Sequence, residues 1–329
     1  MHIILDTNII VDNFRLDTPK FLGLFSYLKK TNSKLFLPSF VLEEVIKKYK
    51  DALIKHKDSF EKESRVLFGK ENIVNVEDLV KSYSSELTTI LFKNKVSIIK
   101  PKDIASRKIF SRALKAEPPF DASGRGVRDT LIWLSIVNHI KISPKGYFCF
   151  ISANTKDFGN NELHQNLKED LKEKSNKFLY CNSLEEFLST YGDKVAFIDQ
   201  KYLYEFFEGK KDYLTSLIKQ IRISSVEGIT PGYSREEILG ISIDNIDVQD
   251  FYIYGATTDA YKVLVEISIC LEVQLALTSV RGVLEGDLTQ EEEGVGYSYC
   301  WIDIPTIVNK KDQTIEIDSE TAPQVSYAI

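Results

Sequence analysis

His2-Ile3-Ile4-Leu5-Asp6-Thr7-Asn8-Ile9-Ile10-Val11-Asp12 is the stretch from which the rest of the chain is read. Ile3, Ile4 and Leu5 make a short continuous apolar run with β-branched members, the pattern of a strand buried on both faces. Asp6 follows at once, where such a strand leaves the carboxyl edge of a parallel sheet, and open α/β sheets place their ligands at that edge. Two readings of Asp6 stand side by side. It caps the helix that follows, as Asp commonly does, or it offers a carboxylate to water, a metal or a substrate.

The length of 329 residues suggests two domains or one large one. With 43% hydrophobic and 27% charged residues, a globular protein with a sizeable core is expected. No apolar run approaches the roughly 20 residues that span a bilayer, and the amino terminus lacks a signal-peptide pattern, so a cytoplasmic protein is expected. Cys149, Cys181, Cys270 and Cys300 are scattered without a CxxC pair, and read as small buried hydrophobes in a reducing compartment. Charge divides the chain. Residues 1–195 carry 32 Lys+Arg and 25 Asp+Glu, a net +7, whereas residues 196–329 carry 10 and 23, a net −13. Such asymmetry points to a polyanion as partner of the first half only.

In the first half, Lys34–Pro38 reads as a second strand, ended by its proline. A long helix begins near Ser39, a candidate N-cap, with Glu43 and Glu44 in its first turns, where the helix dipole alone favours acids. Residues 47–115 form a Lys-rich helical region, including a segment capped by Asn75. Its charge is either a solvated helix face or a positive rim for a phosphate backbone. The breaker-rich stretch 116–128, with Arg125 and Arg128, leads into Asp129 and the apolar helix Thr130–Val137. Tyr147–Ser152 is another buried strand, followed by Ala153-Asn154-Thr155-Lys156-Asp157-Phe158-Gly159. A last short strand and helix close this half near residue 195.

These stretches, in this order, resemble the motifs of PIN-domain nucleases, and the Pro-Pro-Phe loop before Asp129 resembles that of larger bacterial members. The resemblance covers residues 1–195. It implies an α/β fold, a PIN-like parallel sheet flanked by helices. It also implies catalytic carboxylates at Asp6, Glu44, Asp129 and Asp157, of which Asp6, Asp129 and Asp157 ligate metal. Glu44 fits the second motif better than Glu43 because an aliphatic, Val45, follows it; both stay open. In the fourth motif Asp157 is the charged choice, while Asn154 occupies a slot that is Asp in some members. Thr7, Asn8 and Asn154 would supply hydrogen bonds, and Arg125 and Arg128 would hold substrate phosphates. Crowded carboxylates raise one another's pKa unless a cation intervenes, and all-oxygen ligation suits Mg²⁺ or Mn²⁺.

Residues 196–329 read as a strand-rich α+β domain. After a helix over 199–222, every odd position of Tyr261–Leu277 is apolar and the even positions are mostly polar, a strand so long that a bulge or corner is expected in it. Gly294–Ile302 and Thr314–Ile317 suggest more strands, and Glu291–Glu293 a solvated loop. No catalytic motif occurs there, so binding or regulation is the default role, including restraint of a nuclease through its acidic surface. The leading expectation for the whole is a metal-dependent endonuclease acting on RNA in preference to DNA, of toxin or defence type. Its rival is a catalytically inactive PIN-fold module that binds RNA or a protein. A homo-oligomer or a regulatory protein partner is compatible with either reading.

Overall fold

The computed structural model describes residues 1–68, 74–101, 104–143, 146–218, 235–281 and 288–327. The chain splits into two compact units, Met1–Gly192 and Asp193–Ile329.

The first unit is built on a five-stranded parallel sheet. Its strands are β1 (His2–Leu5), β2 (Lys34–Pro38), β3 (Ser97–Ile99), β4 (Phe148–Ile151) and β5 (Phe178–Cys181). Their spatial order is β3-β2-β1-β4-β5, with β1 in the centre. The chain adds β2 and β3 on one side of β1, then returns to lay β4 and β5 on the other. This reversal leaves a crevice between the carboxyl ends of β1 and β4, where a doubly wound sheet binds its ligands. The Asp6 amide hydrogen-bonds the Ile151 carbonyl at 3.0 Å, so the two strand ends stay in register to the crevice itself. Ile3, Ile4, Cys149, Phe150 and Ile151 are wholly buried, which accounts for continuous rather than alternating apolar runs.

The helices are α1 (Thr7–Val11), α2 (Pro19–Thr31), α3 (Ser39–Phe68), α4 (Val76–Lys93), α5 (Ser106–Lys115), α6 (Val127–Ile142), α7 (Thr155–Phe158), α8 (Gln165–Leu171) and α9 (Leu184–Tyr191). Ser39 is the first helical residue after Pro38 rather than a cap outside the helix. The region 47–115 is not helical throughout: Ser97–Ile99 pairs with Phe36–Pro38 as an edge strand. A run of three residues is too short to stand out in sequence, and β2 supplies the ladder that fixes it. Asn75 caps α4 as expected, accepting from the Asp78 amide. Tyr83 of α4 stacks on Tyr49 of α3 with ring centroids 3.9 Å apart, and this holds the long helix pair together.

The second unit has α10 (Gln200–Glu208), α11 (Lys211–Ile218) and a second, antiparallel sheet. Three strands of 22 residues each dominate it: β6 (Arg235–Ala256), β7 (Ala260–Arg281) and β8 (Leu288–Asn309). Short β9 (Ile315–Ile317) and β10 (Gln324–Tyr327) pair with β8. The odd positions of β7, Val263 through Leu275, are buried with Leu203, Phe207, Leu214 and Ile218 of the two helices. The bulge expected in β7 is absent, because β7 pairs with β8 without a break. It is β6 that carries the irregularities, at Ile238/Gly240, Ile243/Asn245, Val248/Asp250 and Ile253/Gly255. An extra residue every fifth position coils an otherwise over-long edge strand. Glu291–Glu293 belong to β8 rather than to a loop, paired with Thr278, Leu277 and Ala276, since the backbone ladder outweighs their polar character. Of the helix expected over 199–222, residues 219–222 lie outside the described residues, and the remainder is two helices.

Phe207 has no exposed surface. Phe207→Ala should therefore cost about 3–5 kcal/mol, read as lost hydrogen-exchange protection of β7 amides. No helix among the described residues is long and apolar enough to cross a membrane.

Candidate active site

Asp6 stands in the crevice beyond β1, with 3% of its surface exposed. Both readings of it hold locally. Its Oδ1 accepts from the Thr7 amide at 2.7 Å, capping α1. Its Oδ2 accepts from the Ser152 hydroxyl at 2.6 Å and from Asn8 Nδ2 at 3.1 Å. Asn8 in turn accepts from the Ala153 amide at 3.2 Å, so one asparagine ties the ends of β1 and β4 together. Thr7 donates through Oγ1 to Glu44 Oε2 at 3.0 Å. Arg128 forms an ion pair with the other oxygen of Glu44. Glu43 is exposed on the next face of α3 and joins none of these contacts. Helical spacing explains the difference, since Glu44 precedes buried Val45 and shares its inward side.

Asp129 and Asp157 reach the same crevice electrostatically. Asp129, in the first turn of α6, is partly buried and feels the charges of Asp157 and Glu44. Burial first, and those charges second, push its carboxyl up to about 6, against a smaller opposing pull from Arg128. Asp6 is also pushed up to about 6, mainly by burial, with Asp129 and Glu44 adding to it and the Ser152 and Thr7 hydrogen bonds opposing it. Asn154 caps α7 and donates to Asp157 Oδ2 at 2.8 Å, so it positions that carboxylate. Arg125 is exposed on the loop before α6.

The loop that delivers Arg128 and Asp129 is pinned from both ends. Asp121 Oδ1 accepts from the amides of Ser123 and Arg125 at 2.9 and 3.0 Å. Arg112 donates to the Pro118 carbonyl at 2.6 Å and pairs with Asp170, which also accepts from Trp133 Nε1 at 2.8 Å. Ser152 carries no signal in the sequence beyond a hydroxyl at the end of a fully apolar strand. It is buried, it donates to Asp6, and it accepts from the Asn154 amide at 3.1 Å.

Among the described residues no Lys or Arg pairs with Asp6, Asp129 or Asp157, and Arg128 is engaged by Glu44. No group of three or more His, Cys, Asp or Glu side chains there converges on one point. The donors nevertheless fit a hard cation in kind. They are all oxygen, two of them are held above the usual carboxylate range by burial and, second, by neighbouring carboxylates, and Mg²⁺ commonly binds through only one or two carboxylates, keeping waters.

This charge crowding has a signed consequence for stability. A carboxyl whose pKa rises from near 4 unfolded to about 6 folded binds more protons when folded, so stability falls as pH rises through that window. Asp129→Asn should therefore be more stable than wild type at pH 8, without cation. That gain should shrink to about a third at pH 4.5, where the folded carboxyl is protonated but the unfolded one is still mostly ionised, and vanish only below the unfolded pKa; parallel urea melts at the two pH values test it. His139, whose pKa is lowered to about 4 chiefly by burial, has the opposite slope but is common to both proteins and cancels.

Residues 3–158 match the family model described as PIN domain. Among solved structures, the chain is similar to one described as the crystal structure of VapBC2 from Rickettsia felis bound to a DNA fragment from their promoter. That similarity is at 15% identity and a TM-score of 0.31, covering 55% of this chain and 97% of that one. No curated protein matches the chain.

Proposed function

We propose that this chain, whose residues 3–158 are a PIN domain, is a divalent-cation-dependent endonuclease that hydrolyses phosphodiester bonds, with RNA as its substrate. One observation carries the reading: at the switch point of the parallel sheet Asp6 and Asp129 are both raised to about 6, Asp6 by burial with the charges of Asp129 and Glu44, Asp129 by burial with those of Asp157 and Glu44. A group of uncompensated carboxylates costs stability, and a site that needs a cation gives a reason to keep them.

Asp6, Asp129 and Asp157 would hold Mg²⁺ or Mn²⁺, which when bound supplies positive charge to the phosphate and to the leaving oxygen. The protein's own groups do the positioning. Thr7, Asn8 and Ser152 fix the Asp6 carboxylate in one orientation. Thr7 and Arg128 hold Glu44 at the crevice, where its carboxylate can orient an attacking water. Asn154 does the same for Asp157. Arg125, exposed on the loop beside Asp129, is free in direction to meet a flanking phosphate, and the net +7 of residues 1–195 favours a polyanion.

The test is cleavage of labelled single-stranded RNA and of DNA of the same sequence, with Mg²⁺, with Mn²⁺ and with EDTA. Cation-dependent cutting of RNA well above DNA is expected. Preferential cutting of DNA would overturn the substrate, and binding without cutting would favour the non-catalytic module. The Arg128–Glu44 ion pair is what favours that second reading, because it occupies one of the acids.

A further inference from the structure

The second unit presents an open sheet face that its helices do not cover. Its core side takes Cys300, Ile302 and Ile304 of β8 together with Ile267, Ile269, Leu271 and Val273 of β7. Strand alternation therefore sends Val295, Tyr297, Tyr299 and Trp301 to the other side. There Val295 is 53%, Tyr297 41% and Tyr299 43% exposed. Through this stretch β8 pairs on one side with β7, whereas β10 reaches only Cys300–Asp303, so among the described residues Val295, Tyr297 and Tyr299 stand beside an edge of the sheet. A row of large side chains left exposed beside a sheet edge marks an interaction surface.

Its surroundings define what the surface accepts. Tyr297 lies opposite Glu272, Tyr299 opposite Cys270, and Trp301 opposite Ser268. The next strand places Asp247 opposite Ser268, and Asp244 lies against Cys270. Residues 236–261, 263–280 and 288–309 contain no Lys or Arg at all. Aromatic faces bordered by carboxylates attract cations twice, through the ring quadrupole and through charge-assisted hydrogen bonds. A nucleic acid could stack on such rings, but its phosphates would meet only acids. The same face of a second copy would bring like charge against like.

We propose that this face, with Tyr297, Tyr299 and Trp301 in a row beside Glu272, Asp244 and Asp247, docks an extended, arginine- and lysine-bearing segment of a partner protein. The row from Val295 to Trp301 spans about 20 Å, the length of roughly six extended residues. Basic side chains at alternate positions of such a segment come into step with aromatic rings at alternate positions of β8. The inference is independent of the nuclease reading.

The probe is a fluorescein-labelled peptide of about ten residues, alternating Arg and Ser, added to the full chain and followed by anisotropy; an alternating Glu and Ser peptide is the control. Binding of the basic peptide that weakens with salt is expected. Tyr297→Ser with Tyr299→Ser, both at exposed positions, should weaken it about 10-fold or more. Glu272→Gln with Asp244→Asn should weaken it and flatten its salt dependence, and Asp129→Asn should leave it unchanged. The proposal fails if the wild type binds neither peptide or both equally. It also fails if the tyrosine variant binds like wild type, or if Asp129→Asn abolishes binding, which would put the peptide in the carboxylate crevice. Sedimentation showing a wild-type dimer that the tyrosine variant loses would make the occupant a second copy and overturn the assignment.

Discussion

Asp6→Asn is expected to lower cation-dependent cleavage by about 100-fold or more while leaving the protein folded. The replacement is nearly isosteric, and its remaining oxygen can still accept from the Thr7 amide, keeping the cap on α1. Its new amide group faces Ser152, whose hydroxyl can turn to accept, and Asn8, which loses an acceptor. Against that loss stands relief of a fully buried carboxylate. A rise from near 4 to about 6 corresponds to a penalty of about 3 kcal/mol at neutral pH. The variant should therefore melt close to wild type at pH 7, without cation, and should not gain stability when Mg²⁺ is added. Single-turnover cleavage and parallel melts separate chemistry from folding. Equal rates in both proteins would remove Asp6 from the mechanism, and collapse of the fold would make the loss of rate uninformative, in which case Asp129→Asn takes its place.

Gly126→Ala should be among the most damaging small substitutions in the first unit. Gly126 has φ +118°, and a Cβ there would lie 2.0 Å from the Pro119 carbonyl oxygen and 2.7 Å from its carbon. Both are backbone atoms, and the following Phe120 is buried, so the neighbour cannot step aside. Strain and clash together should cost about 3 kcal/mol or more, which for a unit of this size lowers Tm by roughly 6–12 °C. The effect on rate should be large as well, because Gly126 directly precedes α6 and any relief moves Arg128 and Asp129. Gly124→Ala is the control. Its φ is also positive, at +79°, but nothing lies within 4 Å of the added Cβ, so only about 1 kcal/mol of strain is expected. If the two variants melt alike, packing against Pro119 is not what holds the loop.

The sequence by itself determined the layered character of the first unit. Continuous apolar runs at His2–Leu5, Lys34–Pro38 and Phe148–Ile151 can only be strands covered on both faces, which forces helices onto both sides of a parallel sheet. It also determined the long alternation of β7, because one face of that strand packs on α10 and α11 while the other meets water. It identified acids at strand ends and helix starts, and could not say which of them meet. Local signals for a cap and for a ligand are the same, so Asp6 had to be seen with Ser152 and Asn8 before its second role had a shape.

Tertiary structure alone decided the rest, for reasons of distance along the chain. Ser152 lies 146 residues from Asp6, and Arg128 lies 84 from Glu44, so no local pattern relates them. β3 exists because β2 offers it a ladder, not because three residues prefer a strand. The bulges of β6, five residues apart, erase the two-residue alternation by which a strand is recognised, and they become legible only against the unbroken register of β7. The same register turns Tyr297, Tyr299 and Trp301 from scattered aromatics into one row, since a face is a property of paired strands rather than of any one of them.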